Sequence, residues 1–67
     1  MSVCYDRLWE LIYQKRINKS SLAERCGISR KTIVRMNKSE PVALDVIDRI
    51  CIELDCKIEE VIEIKKE

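Results

Sequence analysis

Histidine and phenylalanine are absent from this chain, and glycine, proline and tryptophan occur once each. Without histidine there is no imidazole for acid–base chemistry near neutral pH, nor for the common mixed zinc sites. The lone Gly27 makes no glycine-rich loop to cradle a phosphate, and no serine has a plausible base beside it. Glu59 and Glu60 are neighbours and point in different directions on a helix, a poor acid–base pair. No enzyme is expected, and no catalytic residue is assigned. No apolar run approaches the roughly 18 residues of a membrane span. The start, Met1 to Asp6, has no basic patch followed by an apolar core, so a signal peptide is not expected. The expected location is cytoplasmic, with no membrane partner.

Cysteine is present but in the wrong pattern for a metal. Cys4, Cys26, Cys51 and Cys56 form no C-x-x-C pair. A zinc site would need all four thiolates from scattered points, and a cytoplasmic chain keeps its thiols reduced. Buried, unreactive thiols are expected, with no metal, no cofactor and no small-molecule substrate.

What is present is helical apolar spacing and a polar distribution of charge. The 67 residues are read as one domain, 1–67, with one small core. A domain of this size buries only about 60% of its unfolded surface, and a second copy would add buried area. The net charge is +1. From Lys15 to Lys38, however, eight basic residues stand against Glu24 alone, a net of +7. The remainder has five basic residues against eleven acids, a net of −6. Such a chain presents one basic face to phosphates and keeps the rest away from them.

Five helices are expected. The first runs from about Asp6 to Arg16, with Leu8, Leu11 and Ile12 as its core stripe. Tyr5, Trp9 and Tyr13 line an adjacent face, as core or as a contact with a second subunit. Asn18 caps a second helix, Lys19 to Cys26, and Gly27 ends it in a left-handed turn. Ser29 caps a third, Arg30 to about Asn37, with Ile33 and Met36 inward. Arg30, Lys31, Thr32, Val34 and Arg35 point outward. A polar loop holding Pro41 leads to a fourth helix, Leu44 to Leu54, whose stripe is Leu44, Ile47, Ile50, Cys51 and Leu54. Ala43 stands where a capping Ser or Thr is expected. A short fifth helix is read at Ile58 to Val61, with Glu59 and Glu60 in its first turn. Val61 to Ile64 reads equally as a strand, paired with Ser2 to Cys4 in a two-stranded ribbon.

The informative stretch is Lys19 to Lys38. Ala23 is small where two helices meet steeply, Gly27 takes the sharp turn, and Leu22, Cys26, Ile28, Ile33 and Met36 lock the pair to the core. This leaves the third helix proud of the surface, shaped for a major groove. Leu22-Ala23, Gly27-Ile28-Ser29, Thr32-Ile33 and Met36 resemble the helix-turn-helix of the Cro and lambda-repressor-like (XRE) family. Leu8 to Leu11 and Leu44 to Val61 resemble a compact subgroup of small bacterial regulators of that family. The resemblance implies an all-α, five-helix lambda-repressor-like domain with its recognition helix at Arg30 to Asn37. It implies base reading by Arg30, Lys31 and Arg35, and often a homodimer on two-fold symmetric double-stranded DNA. The family usually opens the second helix with Gln; Lys19 stands there. Its third loop usually carries Gly and basic residues; here Lys38-Ser39-Glu40 brings an acid near the phosphates.

The residue chemistry supports the same roles. Arg30, Lys31 and Arg35 suit guanine edges. Ser29 and Thr32 suit a phosphate or a thymine methyl. Asn18, Lys19, Lys15, Arg16 and Lys38 would hold the backbone, setting register rather than sequence. For each basic residue the plain alternative is a solvated side chain. The expected function is a transcriptional regulator, with repression by occlusion as its mechanism. The rival is a protein-interaction module of the same fold, such as an antitoxin or adaptor.

Overall fold

The computed structural model describes residues 2–66. Strand β1 (Ser2–Cys4) leads into α1 (Asp6–Gln14), α2 (Lys19–Cys26), α3 (Arg30–Asn37) and α4 (Leu44–Leu54). A single 3-10 turn (Ile58–Glu60) then precedes β2 (Glu63–Lys65). The two strands pair antiparallel, with Val3 opposite Ile64 and Cys4 opposite Glu63. The ribbon read from the two ends of the sequence is therefore present, and the fold is mostly helical rather than all-α.

There are four α-helices among the described residues, not five. The segment read as a fifth helix makes one turn only, with Lys57 N–H donating to the Glu60 carboxylate at 3.2 Å. Val61 is fully buried and anchors the chain just beyond it. The alternating residues that follow are drawn into the ribbon, so the turn cannot propagate; a helix nucleus gains little until several further residues join it.

The core is built from Tyr5, Leu8, Ile12, Leu22, Cys26, Ile28, Ile33, Met36, Ile47, Ile50, Leu54 and Val61, drawn from every helix and from both flanks. Leu44, expected in the stripe of α4, is instead 71% exposed. It is the first residue of the helix, where the chain has not yet reached the core. The aromatic trio divides. Tyr5 is buried, Trp9 is half-buried, and Tyr13 is exposed. The Tyr5 hydroxyl donates to the Glu40 carbonyl at 2.7 Å and so ties the N-terminal strand to the loop after α3.

All four helices close with the same left-handed device. Just beyond them lie Arg16 (φ 60°), Gly27 (φ 66°), Ser39 (φ 58°) and Asp55 (φ 51°). The next residue's N–H reaches back five positions: Ile17 to Ile12, Ile28 to Ala23, Glu40 to Arg35 and Cys56 to Cys51, at 2.8–3.0 Å. These are Schellman closures, which satisfy carbonyls that the helix leaves free. Only one uses glycine, so no glycine in the sequence marks the end of α1 at Gln14, and its apolar pattern reads on to Arg16. Ser39 is exposed, and its side chain makes no hydrogen bond among the described residues. A non-glycine residue in this conformation costs about 1–2 kcal/mol, and the added freedom of glycine in the unfolded chain offsets about 0.5–1 kcal/mol of that. Ser39→Gly is thus expected to stabilise the fold by about 0.5–1 kcal/mol, seen as a rise of a few degrees in a thermal melt. A lower melting temperature would count against the strain assigned to this position.

Candidate nucleic-acid interface

The α2–α3 pair is set by short-range chemistry. Asn18 Oδ1 accepts from the Ser21 N–H at 2.7 Å and starts α2. Gly27 turns the chain, and its carbonyl accepts from Arg49 Nη1 of α4 at 3.2 Å, fixing the corner to the helix behind it. Ser29 Oγ accepts from the Thr32 N–H at 3.2 Å and starts α3. With Leu22, Cys26 and Ile28 buried on one side and Ile33 and Met36 on the other, α3 has one face sealed.

At about 100° per residue, the opposite face of α3 carries Arg30, Lys31, Val34, Arg35 and Lys38. All five are exposed. Arg30 and Lys31 make no ion pair among the described residues. Arg35 is different. Its Nη2 donates to the Pro41 carbonyl at 3.1 Å, and its Nε lies 3.4 Å from Glu40 Oε1. Arg35 and Glu40 are the two positions that a Schellman closure brings together, usually as an apolar contact. Here the contact is ionic. Glu40, whose charge looked adverse to phosphate, is partly neutralised inside the protein, and Arg35 is partly occupied.

Ser29 and Thr32 also engage each other, with hydroxyl oxygens 3.0 Å apart. One hydroxyl hydrogen of the pair stays available to an outside acceptor. Thr32 is half-buried, so its reach is shorter than the outward position suggested.

Among the backbone-holding candidates, Lys19 has the most defined place. Its ammonium lies 4.2 Å from the centroid of Trp9 and donates to Asn37 Oδ1. This joins α1, α2 and α3 on one surface and holds a positive charge at the start of α2. Asn18 uses its carbonyl oxygen in the cap and keeps its amide hydrogens. Arg16 and Lys38 are exposed at the ends of α1 and α3. Lys15 is exposed at the C-cap of α1. Burial and the adjacent Cys51 push the Cys56 thiol up to about 11, and Lys15 opposes that shift. Burial likewise raises Cys26. Both thiols stay protonated at neutral pH and are therefore slow nucleophiles.

Three features of this surface were not read from the sequence: the Trp9–Lys19 stack, the Asn37 acceptor, and the Arg35–Glu40–Pro41 closure. The last has a signal only in hindsight. Residues five apart do not share a helix face, so the pair forms only because Ser39 turns left-handed. Exposed ion pairs contribute about 0.2–1 kcal/mol. Glu40→Gln should therefore raise affinity for duplex DNA a few-fold at low salt, measured by fluorescence anisotropy, by freeing Arg35 and removing a negative charge. Unchanged or weaker binding would show that the closure presents Arg35 rather than restraining it.

A family model described as a Cro/C1-type HTH DNA-binding domain matches residues 7–67. No match was found among curated proteins. Among solved structures, the fold is similar to a crystal structure of the transcriptional regulator VanUg, with a TM-score of 0.94 and 35% identity. That match covers 98% of this chain and 88% of the other.

Proposed function

The chain belongs to the Cro/C1-type HTH DNA-binding family, and from that premise we propose that it is a sequence-specific regulator of transcription that seats α3 in the major groove of duplex DNA. One observation carries the reading: a cationic helix face, with Arg30 and Lys31 exposed and unpaired among the described residues, held outward by a sealed apolar face. Arg30 and Lys31 read base edges, with guanine O6 and N7 as the natural partners. Arg35 joins them once it exchanges Glu40 for DNA. Ser29 and Thr32 contact a phosphate or a thymine methyl at the start of the helix. Asn18, Lys19, Lys15, Arg16 and Lys38 hold the backbone.

The chain acts as one domain, by binding rather than by catalysis, and without a cofactor. A single α3 supplies few base contacts, each worth about 1–3 kcal/mol. Two copies on a two-fold site add their contacts, so a homodimer on half-sites about 34 Å apart fits the reading. Occupying such a site excludes other proteins from it, which makes repression the simplest outcome. Selection from a random duplex pool tests the whole reading. A palindromic, guanine-containing consensus bound with steep salt dependence is expected. Recovery of no enriched sequence, or binding indifferent to salt, would overturn it.

A further inference from the structure

The outward face of α3 contains one residue that is not polar. Val34 is 45% exposed and lies outside the buried face that Ile33 and Met36 make, so the core does not use it. Arg30 stands four residues before it, Lys31 three before, and Lys38 four after, all exposed. Side chains at these spacings are neighbours on a helix. Two methyl groups are thus placed at the centre of a ring of cations. A scattered exposed apolar residue needs no explanation in general. This one occupies the middle of the face that the proposed function turns toward base edges. Its chemistry is also poorly matched to the site by local preference, since Val is a weaker helix former than Lys, Arg or Ala.

In the major groove one base alone displays a methyl group. Thymine carries it at C5, where an apolar side chain can cover it. Val is short, and its χ1 is almost fixed in a helix, so its methyls sit at a defined place close to the backbone. Arg30 and Lys31, being longer, reach past it to either side.

We propose that Val34 is a specificity-determining residue, recognising one thymine per half-site through its 5-methyl group, beside the bases contacted by Arg30 and Lys31. This deepens the proposed function and rests on it. The test uses the full chain and a duplex chosen by selection from a random pool. Each thymine is replaced in turn by deoxyuridine, which removes the methyl and leaves the pairing edge unchanged. Affinity is measured at fixed salt for wild type and for Val34→Ala, with far-UV circular dichroism to verify that the variant is folded.

At one thymine per half-site the wild type is expected to lose about four-fold in affinity for each methyl removed. Val34→Ala should bind the thymine duplex that much more weakly and be indifferent to deoxyuridine there. Its binding to random DNA should match wild type. Wild-type indifference at every thymine would overturn the role of Val34 while leaving the groove-binding reading intact. So would a selected site with no thymine, or a Val34→Ala variant that keeps the full methyl dependence. Failure of wild type to prefer any sequence would remove both.

Discussion

Ile50→Ala is expected to lower the stability of the fold by about 2–5 kcal/mol, the range for deleting a large aliphatic group from a packed interior. Ile50 is 0% exposed and sits midway along α4, in the same cluster as Leu8, Leu22, Met36 and Val61. A domain of this length has only about 3–10 kcal/mol of total stability, so the loss approaches the whole. Urea unfolding followed by circular dichroism should show a much lower midpoint with little change in slope. Leu44→Ala is the paired control. Both residues lie on the apolar stripe that the sequence shows, yet Leu44 is 71% exposed. Its truncation should cost within about 0.5 kcal/mol. Equal losses in the two variants would mean that α4 packs with a different rotation from the one described.

The second large effect concerns recognition. Arg30→Ala should weaken binding to the selected site by about 1–3 kcal/mol, roughly 5- to 150-fold, and relax preference at one base position. No protein group holds Arg30 back through an ion pair among the described residues, so its whole interaction is available to DNA. Arg35→Ala should cost less. Its guanidinium already bonds the Pro41 carbonyl and lies against Glu40, and those contacts must be exchanged on binding. Competition binding against single-base variants of the site separates the two. A uniform loss over all variants for Arg30→Ala would make it a phosphate contact and move base reading elsewhere on α3.

Local chemistry made much of this protein legible in its sequence. Asn18 and Ser29 start α2 and α3 through hydrogen bonds spanning three residues, and Gly27 ends α2 within the same short range. The outward basic face of α3 follows from helical periodicity once Ile33 and Met36 are assigned inward. Other features depend on residues far apart in the chain. Tyr5 rather than Tyr13 is the buried tyrosine, and its hydroxyl finds its acceptor at the Glu40 carbonyl, 35 positions away. The expected fifth helix gives way to a single turn because Glu63–Lys65 finds its partner at the opposite end of the chain. Arg16, Ser39 and Asp55 are left-handed without being glycine, so no glycine marks these closures in the sequence. Caps and periodicity act through bonds a few residues long, so the sequence alone determines them. Helix rotation, strand pairing and the restraint on Arg35 are set by the joint packing of distant segments, and only the tertiary structure decides those.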